Sequence, residues 1–226
     1  MRSPRFVLGI IGALIFLVAC SEDATLGTPV IKVSPPKGFC ELDKTNKADV
    51  AFFESMSNAV KAGGFSLIAL YPDCREFEAW RRSEALLLTK VAFARFAKRA
   101  DRPLPQFVSE ACEQLKRGLS DELKARNSKY VTEFSSGRIN QTNTIPLGVL
   151  DEVKGTVCYS GELARLKIAN TGDAMFVSLS ASTFVGDQPI GIFQWTNYVD
   201  ETSVAAALAN LKTIYSDFAA ANGKAP

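Results

Sequence analysis

The clearest hydrophobic pattern lies in the last third of the chain. Over residues 174–185, every second position is apolar or, once, threonine, which is the spacing of a strand with one buried face. The sequence GDQP at 186–189 is typical of a turn, and residues 190–198 predict a returning strand. Apolar residues then recur at helical spacing over 204–218. The pattern predicts a β-hairpin followed by a helix.

The first half of the chain alternates between the two spacings. A short strand at 30–33 precedes a helix at 48–62, which a pair of glycines ends. A buried strand at 65–71 follows, and then a helical turn through Trp80. Residues 84–96 fit a helix or a strand, and the alternation in their second half favours a strand.

The longest periodic segment runs from Phe107 to Phe134 and predicts one helix of roughly 25 residues, bent at Gly118. The polar residues 139–144 are interpreted as a loop, and residues 156–159 as a strand. Strands and helices alternate, yet the last hairpin must be antiparallel. We therefore expect a single α+β domain, with a mostly antiparallel sheet flanked by helices.

The N-terminus has a different character. Two arginines and no acidic residue precede an apolar segment at 6–19. As a helix, this segment spans roughly 21 Å, which is shorter than the roughly 30 Å hydrocarbon core of a bilayer. A basic stretch followed by a short apolar segment is typical of a secretory signal peptide.

The end of that segment, Leu17-Val18-Ala19-Cys20, resembles the bacterial lipobox. The resemblance implies that residues 1–19 are removed and that Cys20 carries a diacylglycerol. Residues 20–28 would then form a tether and 29–226 the folded domain. The protein would be exported and anchored to the periplasmic face of the envelope, with Ser21 favouring the outer over the inner membrane. The alternative is an ordinary signal peptide in which Cys20 is unmodified.

Composition narrows the possible functions. The net charge of +2 comes from Arg2 and Arg5, so the exported body has balanced charge. We do not expect it to bind nucleic acid, which requires an excess of Lys and Arg. The chain contains no histidine, which excludes a Ser-His-Asp triad and a His-ligated zinc site within the chain. No metal and no cofactor are expected.

Four cysteines remain when Cys20 is set aside, and an even number in an exported chain predicts two disulfides, with three possible pairings. Cys40 and Cys74 each follow a predicted strand, so a bridge would join two neighbouring strand ends. Cys112 lies on the buried stripe of the long helix and is paired with Cys158, which lies in a predicted strand. The alternative is four free, buried thiols.

The order of elements resembles the PsbP-like sandwich, an antiparallel sheet covered by helices on both faces. The shared features are an early strand followed by proline and Gly38-Phe39, and a final hairpin with its helix. The resemblance implies an α/β/α sandwich. Members of this fold mostly bind or help to assemble other proteins, so it also implies a binding role.

One candidate ligand surface lies on the predicted hairpin. Ser178, Ser180 and Ser182 share one strand face, where their hydroxyl groups can hydrogen-bond a polar ligand. Trp195 and Tyr198 in the returning strand can form a stacking platform. The alternative is that the serines form the solvated face of a strand and that the aromatic rings pack in the core.

Carboxylates are the remaining candidates for chemistry. Asp43, Asp73, Asp151 and Glu152 can supply the acid and the base that a glycosidase requires. Each lies in sequence interpreted as a turn, where carboxylates bind the backbone instead, so we assign no catalytic residue.

Three functions fit this sequence. The first is a non-catalytic, lipid-anchored envelope protein that binds or supports another envelope protein. The second is a cell-wall hydrolase that works through carboxylates. The third is a carrier of a small apolar molecule between sheet and helices.

Overall fold

The structure, a computed structural model, describes residues 30–62, 64–82, 84–85, 87–96, 103–117, 139–168 and 172–223. The predicted signal peptide, the lipobox with Cys20 and the tether lie outside the described residues.

Six strands and four helices are described. The strands are β1 (Phe65–Pro72), β2 (Lys90–Phe96), β3 (Ile139–Val153), β4 (Val157–Ile168), β5 (Gly172–Val185) and β6 (Gln188–Asn197). The helices are α1 (Lys47–Ala62), α2 (Cys74–Arg81), α3 (Leu104–Lys116) and α4 (Thr202–Ala221). All strand pairs are antiparallel, and the described strands form one sheet in the order β1-β2-β6-β5-β4-β3.

One face of the sheet, the α4 face, packs against α4. Val177, Leu179 and Ala181 of β5 contribute alternate side chains to it, and they belong to the same buried cluster as Leu211 and Phe218 of the helix. Burying one such aliphatic or aromatic side chain contributes about 1.5–3 kcal/mol, so this face is the main core of the domain.

The other face, called the opposite face below, packs against α1 and α3. Phe52 and Met56 of α1 pack on Leu70 and Ala92 of the first two strands. Val108 and Cys112 of α3 pack beside Cys158 of β4. Helices therefore lie on both faces of an antiparallel sheet, which confirms the predicted α+β single-domain class.

The C-terminal third matches its prediction. β5 and β6 form a hairpin around Gly186 and Asp187, with Val185 opposite Gln188. The helix that follows ends at Ala221. This part of the sequence was informative because the core residues of β5 alternate with serines on its other face.

Two local predictions are wrong. Residues 139–144 were expected to form a loop, but they begin β3 and pair with β4. β3 lies at the edge of the sheet and pairs only with β4 among the described strands. An edge strand tolerates polar residues because it pairs on one side only. Residues 30–33 were expected to form a strand, but they pair with no strand, and the backbone of Lys32 bonds the side chain of Asn222 instead.

The predicted long helix corresponds at its start to α3, which begins at Leu104 after Pro103 and ends at Lys116, with Arg117 as its C-cap. The part of that prediction from 118 to 134 lies outside the described residues. Of the ambiguous segment 84–96, only the second half is a strand, since β2 begins at Lys90.

Both predicted disulfides are present: Cys40–Cys74, with a Cα–Cα distance of 5.1 Å, and Cys112–Cys158, with 5.6 Å. The first does not join two full strands as expected, because the only pairing there is an isolated antiparallel bridge between Phe39 and Asp73. Disulfides persist in oxidising compartments, so the domain folds outside the cytoplasm. None of the described helices has the length and hydropathy of a membrane span.

Candidate functional site

A cleft of about 530 Å³ opens on the α4 face. Its walls are residues 37–39, the start of α2, the end of β6 and the first half of α4. Ala206 and Ala207 of α4 line it, and their small side chains leave space that larger residues would fill. The volume lies within the range of small-ligand sites.

Amide groups form the floor of this cleft. Gln194 of β6 is 3% exposed, and its Oε1 accepts a hydrogen bond from Nδ2 of Asn210 at 3.3 Å. Among the described residues, the Nε2 group of Gln194 and the Oδ1 atom of Asn210 have no further partner. An amide pair that keeps hydrogen-bonding atoms without partners in the floor of a cleft is suited to receive a polar group.

Positive charge lies at the rim. Arg75 binds Asp73 through Nε and Nη2, at 3.2 and 2.9 Å, and its side chain is still 90% exposed. This hydrogen bond from Arg75 holds the pKa of Asp73 below its usual value. Lys37 is exposed and forms no ion pair within the described part of the chain. Arg75 and Asp73 thus neutralise each other, and Lys37 is the further charged residue that lines the cleft among the described residues.

The front wall is fixed in place by the Cys40–Cys74 disulfide. The backbone N–H of Cys40 donates to Pro72 at 2.9 Å, and that of Cys74 donates to Gly38 at 3.0 Å. Gly38 has a φ of 87°, a conformation that residues with a Cβ atom rarely adopt. The wall is therefore held by one covalent bond and two backbone hydrogen bonds.

The predicted serine row lies on the opposite face, away from this cleft. Ser180 shares a hydrogen bond of 2.9 Å with Ser160 of β4, and Ser182 lies opposite Cys158. Ser178 is opposite Trp195 of β6. The structure thus brings the serines and Trp195 onto one face.

Tyr198 is not part of that surface. It packs against the core of the α4 face, whereas Trp195 packs with α1 on the opposite face. Two residues three positions apart near a strand point to different sides, so these two rings do not form one platform.

Sequence reasoning missed two charged residues beside the serines. Glu162, Ser178, Trp195 and Lys90 are successive partners in one row across β4, β5, β6 and β2. Burial raises the pKa of Glu162. Burial also lowers the pKa of Lys90 to about 8, against the attraction of Glu76. Lys90 lies in the segment 84–96, whose second half was predicted as a strand, whereas Glu162 lies beyond the strand predicted at 156–159. The pattern therefore gave no sign that the two share a row.

Two of the four candidate carboxylates serve local backbone geometry. Asp43 accepts hydrogen bonds from the backbone and hydroxyl groups of Thr45 at 2.8 and 2.7 Å, and the hydroxyl bond lowers its pKa. Asp73 is the N-cap of α2 and accepts from the backbone of Arg75 at 2.8 Å. A general acid needs a raised pKa, so neither is placed for that role.

The other two carboxylates belong to β3, not to a turn as predicted. Asp151 binds Lys212 of α4, and this contact lowers its pKa. Glu152 binds Lys116 of α3 at 3.0 Å on the opposite face. The two side chains therefore point away from each other and cannot act on one bond.

An apolar carrier would need an apolar cavity. The second opening in the described residues, between segment 32–37 and α4, has about 110 Å³ and is lined by Phe93, Ile214 and Phe218. That is well below the size of a typical ligand pocket, which is about 300 Å³ or more.

Among the described residues, no group of three or more histidine, cysteine or acidic side chains is placed to hold a metal. A scan against protein-family models and a search of curated proteins both found no match to this chain.

Proposed function

We propose that this chain is an exported, lipid-anchored cell-envelope protein that acts by binding another envelope protein. The observation that carries the proposal is the use of its cysteines. Of five cysteines, four are joined in two disulfides within the domain. The fifth, Cys20, follows a signal-like segment in a lipobox-like sequence. A fifth cysteine that is left over from the two disulfides and stands in this sequence context supports lipidation.

The short tether gives the anchor a consequence for position. Ile31 and Val33 already pack against the core of the α4 face. A chain extends at most about 3.5 Å per residue, so a lipid on Cys20 would hold the domain within roughly 40 Å of the membrane. Ser21 favours the outer membrane over the inner one.

A binding role is supported by what the described side chains have available. The four candidate carboxylates are engaged in local contacts, which argues against a hydrolase. In the cleft, the amide pair keeps hydrogen-bonding atoms without partners, and Lys37 forms no ion pair among the described residues. The resemblance to the PsbP-like sandwich points the same way. The final hairpin and helix of that resemblance are present in the fold, while the early strand is not.

The anchor is tested by the intact mass of protein extracted from membranes with detergent. We expect a chain that begins at Cys20, carries fatty acyl groups and yields four alkylatable thiols only after reduction. A Cys20→Ser variant should lack the lipid and keep both disulfides. A chain that still carries Met1 in a soluble extract would refute the proposal.

The binding role is tested by crosslinking intact cells and purifying the anchored protein. One envelope protein should be recovered reproducibly with the wild type. Recovery should fall with Cys20→Ser, because the anchor then no longer places the domain beside its partner. Equal recovery of all envelope proteins with both forms would count against a specific partner.

A further inference from the structure

The cleft on the α4 face has three properties that indicate which class of ligand it binds. We infer that it binds a short peptide segment that carries a carboxylate. This inference rests on the proposed function, since it names the site and the part of the partner that the site recognises.

The first property is the pair of amides in the floor. Gln194 keeps amide N–H donors, and Asn210 keeps a carbonyl acceptor, next to the 3.3 Å hydrogen bond that joins them. A peptide backbone offers a C=O and an N–H group side by side, which complement this pair.

The second property is the charge of the rim. Lys37 has no ion-pair partner among the described residues, and Arg75 keeps exposed donors beyond those that bind Asp73. Ligand carboxylates form their strongest hydrogen bonds with such cations. The only carboxylate that lines the cleft, among the described residues, is that of Asp73.

The charge of the rim also favours a peptide over a sugar as the ligand. Sugars offer hydroxyl donors, for which a free carboxylate is the strongest acceptor. In this cleft Asp73 is already bound by Arg75 and by the first turn of α2. The site therefore lacks a free anionic acceptor and has spare cationic donors, which favours a carboxylate-bearing peptide.

The third property is that the cleft is already formed. Its volume of about 530 Å³ accommodates a few residues of extended chain, and the Cys40–Cys74 disulfide holds its front wall. A preformed wall avoids the part of the binding cost that comes from ordering the protein backbone.

The test uses the mature, lipidated protein in detergent and fluorescent hexapeptide pools, acetylated and amidated at their ends. One position is fixed as Glu, Gln or Lys, and the others are mixed. A fourth pool fixes Gln but has a free C-terminal carboxylate, which distinguishes an acidic side chain from a chain end. We expect the Glu pool or the free-acid pool to bind about tenfold more tightly than the amidated Gln pool, through charge-assisted hydrogen bonds.

Two variants locate the site. Lys37→Glu, at an exposed position, should abolish the preference for the carboxylate and leave folding unchanged. Gln194→Leu should weaken all pools alike, and its thermal unfolding is measured to show that it is folded. Lys154→Glu is the matched control, because Lys154 is exposed in the turn between β3 and β4 and does not line the cleft.

Equal binding of the Glu, Gln and free-acid pools would overturn the inference, as would an equal effect of Lys37→Glu and Lys154→Glu. Displacement of the peptides by N-acetylglucosamine at the same concentration would also overturn it, in favour of a sugar site. If Lys37→Glu and Gln194→Leu still capture the crosslinked partner as well as wild type, the cleft is not the site, although the proposed function stands. If lipid and partner are both absent, the proposed function itself fails.

Discussion

Asp49 of α1 and Arg81 of α2 form an ion pair that joins the two helices, with 2.5 Å between Oδ2 and Nη2. The side chain of Asp49 is fully buried, whereas that of Arg81 is 24% exposed. Oδ2 of Asp49 also accepts the backbone N–H of Asp43 at 2.7 Å. This pair fixes α1 and α2 relative to each other at one end of the sheet.

The difference in exposure predicts unequal effects of removing each partner. Arg81→Ala leaves a buried carboxylate without its cation and should lower the free energy of unfolding by about 3–5 kcal/mol. Asp49→Asn leaves an arginine that water can reach, so it should lower the free energy of unfolding by less. Urea unfolding at pH 7 measures both values. Arg82→Ala is the control, because the Arg82–Glu84 pair is more than half exposed and contributes about 0–1 kcal/mol. Equal losses for all three variants would contradict this account.

The two disulfides should differ in their reactivity. Cys112 and Cys158 are fully buried, while Cys40 and Cys74 are partly exposed beside the cleft. In thiol–disulfide exchange the attacking thiolate must reach a sulfur atom of the disulfide. Dithiothreitol should therefore reduce Cys40–Cys74 first under native conditions. Alkylation followed by peptide mass spectrometry identifies the released thiols. Reduction of Cys112–Cys158 first, or of both together, would show that the domain opens before it is reduced.

Either disulfide, when reduced, should also lower stability. Their sequence separations are 34 and 46 residues, which corresponds to about 4 kcal/mol for each bond in the chain-entropy treatment. A protein with only Cys40–Cys74 reduced should therefore remain folded but unfold at lower urea concentration.

Lys90 should make stability depend on pH in the alkaline range. Burial lowers the folded-state pKa of Lys90 from the ordinary 10.5 to about 8, and the negative charge of Glu76 opposes this shift only in part. The Nζ atom of Lys90 lies 5.3 Å from the centre of the Trp195 ring. Between pH 8 and 10.5 the unfolded chain binds more protons at this site, so stability contributed by Lys90 rises with pH across that window. Lys90→Met should be more stable than wild type at pH 7, by about 2 kcal/mol, and this advantage should shrink towards pH 10.

Urea unfolding of wild type, Lys90→Met and the exposed control Lys154→Met at several pH values isolates this effect, since other groups titrate alike in all three. A constant difference between wild type and Lys90→Met would show that the pKa of Lys90 is not lowered by the fold.

Gly161 should not tolerate a side chain. A Cβ atom at this position of β4 would overlap Cδ2 of Leu179 and lie 3.1 Å from the carbonyl oxygen of Ser178. Leu179 is 1% exposed and cannot move into solvent, so Gly161→Ala should cost about 1–3 kcal/mol. In a Leu179→Ala background the same substitution should cost much less, which a double-mutant cycle by urea unfolding detects. Equal costs in both backgrounds would mean that the backbone, not Leu179, is responsible.

The sequence predicts those parts of the fold in which one face of a strand or helix is apolar and buried and the other face is polar and less buried. β5 shows this directly, because Val177 and Leu179 alternate with serines that lie on a different face. The pairing of Cys112 with Cys158 followed from the same logic, since a buried helix stripe must face the sheet. Local patterns succeed where burial itself is periodic.

The failures have physical reasons. The start of β3 lies at the sheet edge, where pairing to a single neighbour needs no apolar face, so its sequence resembles a loop. Ile31 and Val33 are apolar because they cover the core of the α4 face, but this segment has no strand to pair with among the described residues. In both places the neighbours in space, not the local sequence, decide the structure.

The cleft was beyond sequence reasoning for a similar reason. Lys37, Arg75, Gln194 and Asn210 are brought together from four segments, and no spacing along the chain relates them. One signal was available: Gln194 interrupts the apolar alternation of Ile190 and Ile192, in a strand expected to face the last helix. A polar residue at a core position is a reason to look for a site.

The bond between Cys40 and Cys74 also limits how far tension can travel from the front of the domain. Residues ahead of it are held by side-chain packing and by the contacts of Lys32 with Asn222. A pull on the chain ahead of Ile31 would detach the segment before Cys40 from α4. The detachment would stop at Cys40, where the disulfide transmits the force to α2. Lys37 would leave with this segment, and Arg75 of α2 would remain at the cleft.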